Sequence, residues 1–252
     1  MATCWLLFGG SHVVLAAAPI RDRAVNRIGR HAFLWGYLVV ASLLFSALVI
    51  AYANVGSLGP RGIDLGSVAW GRPIAIGVIS IGVVLMTAGF APAGYWESPS
   101  AVLMEGVRSP RGLERITRHP IFAGVVLIMG AHALLARSLA GTVFFAGFVA
   151  LAVFGPVHQA RKLRARHGEP FERYLATTSA IPFLAIVRGD QRLVLRELPW
   201  LWIALGVAAV LALHRFHAGI MAYDGAPLIA GVVGGTVAIG AIAMRGEARR
   251  AG

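Results

Sequence analysis

Residues 32–54 read AFLWGYLVVASLLFSALVIAYAN, a run with no charged position. A helix rises about 1.5 Å per residue, so the run is long enough for the roughly 30 Å hydrocarbon core of a bilayer. Outward from it, apolar segments fall at 2–19, 73–92, 120–136, 139–158, 199–214 and 218–244. The segment at 120–136 is short and the last is Gly-rich, so the reading is an all-α polytopic membrane bundle of six or seven transmembrane helices. The chain as a whole is 58% apolar and 13% charged over 252 residues, with a mean hydropathy of +0.74. Soluble domains carry about 25% charged residues, which excludes a water-soluble globule. Segment 2–19 has an Ala-rich stretch before Pro19 but no basic leader, and it carries His12. It reads as a retained first helix and not as a cleaved signal.

Charge settles orientation. With the N-terminus outside, 19 of the 23 lysines and arginines lie in inner loops or the C-terminal tail, among them Arg21–Arg30, Arg108–Arg118 and Arg161–Arg196. Only Arg61, Arg72, Arg137 and Arg215 fall outside. Cationic loops resist translocation, so the expected protein is a multi-pass resident of the cell (inner) membrane, N-terminus outside and C-terminus cytoplasmic. The net charge of +12 is thereby accounted for without nucleic acid, and no aromatic-interleaved basic patch occurs. The single cysteine, Cys4, excludes a disulfide framework and a Cys-rich zinc or iron–sulfur site. No Asp, Glu, Lys or Arg stands at mid-span, which argues against an ion-coupled carrier. The longest inner stretch, 159–198, predicts a short cytoplasmic interfacial helix near 160–176, restarted at Pro170 and carrying Phe171, Tyr174 and Leu175. Tyr95 and Trp96 read as interfacial belt residues, and Glu97 and Glu105 as solvated loop carboxylates.

Ionisable residues inside hydrocarbon are costly and mark candidate sites. Of eight histidines, six sit at membrane boundaries, His119 among them. His12 and His132 do not. Counted along their helices they lie about 15 Å and 18 Å from the segment starts, which puts both near the midplane on antiparallel helices. Two imidazoles at one level are compatible with bis-histidine ligation of haem b; equally, each can hydrogen-bond a neighbouring helix. Met129 stands three residues before His132 and shares its face, as an alternative thioether ligand or as packing.

Certain motifs carry a resemblance. The run Arg115-Ile116-Thr117-Arg118-His119-Pro120, with Gly124 and Ala131-His132, resembles the core of the NnrU family, most closely its 15-cis-zeta-carotene isomerase branch. The likeness extends through His167-Gly168-Glu169-Pro170-Phe171-Glu172 and Thr178-Ser179-Ala180-Ile181-Pro182-Phe183, and to Gly10-Ser11-His12 with the following basic loop. It marks 5–215 as the family core of a single membrane domain over 1–252, with the last helix, 218–244, peripheral. The resemblance implies a haem b protein that isomerises a cis double bond of a membrane-soluble polyene, with His12 and His132 as the histidine ligands of the iron. Where the family has a cysteine ligand, this chain has Met129, and a neutral thioether favours ferrous iron where a thiolate favours ferric. Members outside carotenoid pathways imply an alternative: a haem or redox accessory protein linked to nitrite and nitric oxide reduction, with a redox partner.

A second, more distant likeness is to isoprenylcysteine carboxyl methyltransferases. There an arginine and histidine, here Arg118 and His119, help to hold S-adenosylmethionine together with a Glu-Glu pair. Gln159 and Ala160 occupy the Glu-Glu positions here, which removes the charged acceptors for the cofactor's amino group. Arg118 and His119 also read as plain anchors at the start of the helix that Pro120 opens.

Overall fold

In lipid an uncharged aliphatic run can satisfy its backbone only within itself, which makes the helix its outcome. The computed structural model describes residues 1–91 and 107–251; Tyr95, Trp96, Glu97 and Glu105 fall outside them. Among the described residues all regular structure is helical, apart from an isolated bridge between Arg61 and Ser138. The chain divides into two compact units.

The first unit comprises Met1–Gly62, Arg137–Gly147 and Phe216–Gly252. Its helices are α1 (Ala2–Ala16), α2 (Ala18–Ile28), α3 (Arg30–Val55), the start of α6 (Leu139–His167) and α10 (Ala222–Ala251). The expected first span is bent: α1 and α2 meet at 72°, through extended Ala17, where Pro19 enters the first turn of α2. Phe45, Leu48 and Val49 of α3 form the buried centre. Phe8 of α1 packs on Phe45 at 6.0 Å, and Tyr52 stacks on Phe144 of α6 at 4.1 Å. Residues 60–62 pair with 137–139 through Gly62 N–H to Arg137 O (2.9 Å) and Leu139 N–H to Pro60 O (2.8 Å).

The second unit comprises Ile63–Ala136 and Phe148–Arg215. It holds α4 (Gly71–Gly89), α5 (Pro120–Leu135), the remainder of α6, α7 (Glu169–Thr177), α8 (Leu184–Val187) and α9 (Trp200–Phe216). Helices α4 and α5 run antiparallel, since Gly66 lies by Leu135, Gly82 by Gly124 and Ile128, and Gly89 by Ile121. Small residues let their backbones touch, the usual device of membrane helix pairs. Gly206 of α9 rests on Val84, and Phe122 of α5 meets Gly155 of α6. The interfacial helix expected near 160–176 is divided: α6 runs on to His167, and α7 follows after Gly168, with Pro170 in its first turn. Phe171 and Tyr174 of α7 pack on Leu163, so its apolar face is turned onto α6.

Among the described residues four helices are long and apolar enough to cross a membrane: α3, α4, α6, and α9 with its short continuation to Gly219; the bent α1–α2 pair makes a fifth if taken as one span. Helix α5 has 16 residues, about 24 Å at the usual rise. Helix α10 is interrupted by left-handed Tyr223, Asp224 and Gly225. Leu6 (77% exposed), Leu201 (70%) and Leu211 (68%) leave apolar surface that suits lipid and not water. The described residues are all-helical, and their several apolar helices are those of a multi-pass membrane protein.

Candidate functional site

His12 lies in the first unit; Arg118, His119, Met129 and His132 lie in the second. The last four separate into two places, one at the start of α5 and one near its end.

At the start of α5 the two family-like motifs interlock. Phe183 N–H donates to Ile116 O (2.8 Å), Arg118 N–H to Ser179 O (2.8 Å), and the Thr117 hydroxyl to Ala180 O (2.9 Å). Thr117 is completely buried, and its Oγ1 also accepts from His119 N–H at 3.3 Å. Arg118 donates to Leu175 O (3.2 Å), Thr178 O (3.0 Å) and Thr178 Oγ1 (3.3 Å). Those acceptors stand at the C-terminal end of α7, where carbonyls lack helical partners and the helix dipole favours a cation. Arg118 therefore fastens α7 to the start of α5. Thr117→Val keeps the shape but removes the acceptor of the buried His119 N–H and the donor to the exposed Ala180 carbonyl, so a loss of about 1–2 kcal/mol is expected. Denaturation midpoints in detergent check this.

His119 precedes Pro120, which opens α5 as the sequence predicts. Burial, and then the Arg118 charge, push its imidazole down to about 4. A histidine in the unfolded chain titrates near 6.5, so the unfolded state takes up the proton first as pH falls. Stability from this group is complete above pH 6.5, falls by up to about 1.4 kcal/mol per unit between 6.5 and 4, and levels below that. His119→Gln is expected to flatten this part of the profile of unfolding midpoint against pH.

A second polar layer went unread in the sequence. Glu114, buried, takes a bidentate contact from Arg108 (2.8 and 3.1 Å) and the Arg111 N–H (3.2 Å). Burial raises its carboxyl above the ordinary range despite Arg108. Glu197, ahead of α9, accepts from Arg115 (2.8 and 3.2 Å) and Gly112 N–H (2.9 Å). These bonds hold its carboxyl down at about 2. Gly112 has φ +58 and a Cβ there would stand 2.8 Å from Glu197 O, so only glycine fits this turn. Next to this layer is a cavity of about 360 Å³, walled by Ala88, Ala91, Leu113, Pro120 and Pro199 and by these two carboxylates. Both carboxylates already hold partners, and Arg111 and Gly112 complete the lining. Neither His12 nor His132 lines it.

The two mid-helix histidines share one local arrangement. His12 Nδ1 lies 2.9 Å from Phe8 O, and His132 Nδ1 lies 2.7 Å from Ile128 O. A carbonyl only accepts, so each Nδ1 carries the hydrogen and donates it one turn back along its own helix. The lone pair of each ring is then on Nε2, the state in which histidine ligates a metal. Met129 occupies the turn before His132 on α5. Among the described residues no group of three or more His, Cys, Asp or Glu is placed to hold a bare metal ion. Each imidazole, taken by itself, has the donor chemistry of one haem ligand, the macrocycle bringing four nitrogens of its own.

A polytopic helical membrane protein with an Arg-His-Pro helix start interlocked with a Thr-Ser-x-Ile-Pro-Phe turn is the class that fold and site define. Residues 1–224 match the family described as NnrU protein, and the chain belongs to the NnrU family, as the motifs lead one to expect. Curated relatives include the chloroplastic 15-cis-zeta-carotene isomerase of Zea mays, 38% identical over 82 residues, and that of Arabidopsis thaliana, 39% identical over 80 residues. Each alignment covers 32% of this chain and 22% of the relative, so the chain spans about a fifth of the length of the proteins it matches. No solved structure matches it.

Proposed function

We propose that the protein is a haem b-dependent cis–trans isomerase of a membrane-soluble polyene, similar in activity to 15-cis-zeta-carotene isomerase. The observation that carries this reading is the shared state of His12 and His132, each donating Nδ1–H to its own helix and so holding its lone pair on Nε2. The partial identity to two proteins named as isomerases supplies the substrate class. His12 and His132 would hold the iron, with Met129 within reach of the same helix face as an alternative ligand.

A haem held by His12 and His132 would supply the electron density that lowers the barrier to rotation about a conjugated double bond. The reaction moves no atoms between molecules and needs no net electron transfer, so the protein's task is orientation and exclusion of water. The Phe8 and Ile128 carbonyls keep each imidazole in one tautomer. The interlock of Thr117 and Arg118 with residues 175–180 fixes the start of α5, the helix that carries His132. A rod-like substrate that dissolves in the bilayer would require apolar walls, which apolar helices can supply. The reading includes six or seven spans, counting α5 and α10, with the N-terminus outside and the basic loops in the cytoplasm of an inner membrane.

The test is co-expression with a pathway that makes 15-cis-zeta-carotene, followed by separation of the isomers. Conversion of the 15-cis isomer that is lost in His12→Ala is the expected result. A haem-loaded protein that leaves the isomer ratio unchanged overturns the isomerase reading. Met129, a neutral ligand where the family has a thiolate, favours in that event a haem redox accessory linked to nitrite and nitric oxide reduction. S-adenosylmethionine finds less support, because Arg118 is committed to carbonyl and hydroxyl acceptors at α7 and Ala160 packs beside the Leu163–Phe171–Tyr174 cluster.

A further inference from the structure

His12 is held by more than its tautomer. The Phe8 ring lies 4.4 Å from the imidazole, centroid to centroid, tilted by 58°, and Phe8 is itself buried against Trp5 and Phe45. Both this ring and the Phe8 carbonyl belong to α1, so they orient the imidazole only with respect to its own helix. Tyr37 comes from α3. Its ring meets the imidazole at 5.7 Å and 70°, an edge-on contact, and is in turn supported by Phe33 one turn away at 6.5 Å. Aromatic rings prefer this edge-to-face geometry over a face-to-face sandwich, and neighbours that orient a ligating histidine tune the metal it holds.

We propose that Tyr37 is a positioning residue: its ring, set edge-on to His12 from α3, fixes the plane in which the His12 imidazole meets the iron. The proposal rests on the haem reading above and adds to it a residue outside the ligand set. It requires the aromatic ring of Tyr37 and not its hydroxyl. A residue that merely packed α1 against α3 would alter stability and leave the electronic structure of the iron untouched.

The electron paramagnetic resonance spectrum of a low-spin ferric haem depends on the planes of its axial imidazoles, which gives the test. The full chain, haem-loaded in detergent, is compared with Tyr37→Phe, Tyr37→Leu and His12→Ala. Tyr37→Leu is expected to bind the wild-type amount of haem while its largest g value shifts; Tyr37→Phe is expected to keep the wild-type spectrum. If Tyr37→Leu does not fold, Tyr37→Trp, which keeps an edge but enlarges it, is expected to shift the same g value. A wild-type spectrum in the folded Leu or Trp variant, with His12→Ala having lost the low-spin signal, overturns the role of Tyr37 and leaves His12 as a ligand. A wild-type spectrum in His12→Ala removes His12 from the iron, and the role of Tyr37 falls with it.

Discussion

His12→Ala and His132→Ala are each expected to strip the protein of its Soret absorption when it is produced with ample haem. A b-type haem has no covalent tether, so its axial ligands carry much of its affinity. Disturbing the partner that merely orients a metal-bound histidine costs about 10–100-fold in affinity; deleting the histidine costs more, and a loss above roughly 100-fold is expected. Alanine also leaves a space the size of an imidazole ring, so added imidazole is expected to restore part of the band. The structure supplies a sharper comparison. Phe8→Leu keeps the carbonyl that accepts from His12 Nδ1 and removes only the ring at 4.4 Å. It should retain haem where His12→Ala does not.

The second large effect belongs to the fold. Gly124→Ala is expected to destabilise the protein by about 3 kcal/mol, the upper part of the range for overpacking. An added Cβ at 124 would stand 2.6 Å from Gly82 O and 2.9 Å from Met86 N, both backbone atoms that no rotamer change can move. The reciprocal position is as tight, with a Cβ at Gly82 falling 2.9 Å from Gly124 O. Alanine's greater helix preference, about 0.5–1 kcal/mol over glycine, does not offset the separation of two helices in backbone contact. Gly130 of the same helix has no atom within 4 Å of such a Cβ, so Gly130→Ala is the control and is expected to be neutral or slightly stabilising. Detergent-denaturation midpoints of the two variants decide the matter.

Much of this was legible in the chain because its signals are local. An uncharged run of bilayer length says helix wherever it falls, and prolines at 120 and 170 mark two helix starts that the structure reproduces. The Arg-His-Pro and Thr-Ser-x-Ile-Pro-Phe motifs were visible as strings, although their hydrogen bonding to each other was not. Long-range pairing was hidden: Arg115 and Glu197 stand 82 residues apart, and nothing in either neighbourhood names the other. In segment 2–19 the sign of the bend was Pro19, a residue suited to a helix start, which a reading by apolar length absorbs into the end of one span. Residues 223–225 turn left-handed at an Asp-Gly pair two residues before Pro227, a turn signal that the apolar length of 218–244 likewise hides. Depth counting picked out His12 and His132, but the matching Nδ1 bonds depend on side-chain rotamers that spacing does not encode.

Haem held on the half-buried imidazoles of His12 and His132 is what the proposed function depends on. Its most direct measurement is the haem content and absorption spectrum of the purified, folded, full-length protein, produced with supplemented haem. One b-type haem per chain with a low-spin Soret band is the predicted result. A folded and monodisperse preparation that stays colourless after incubation with haem would contradict it.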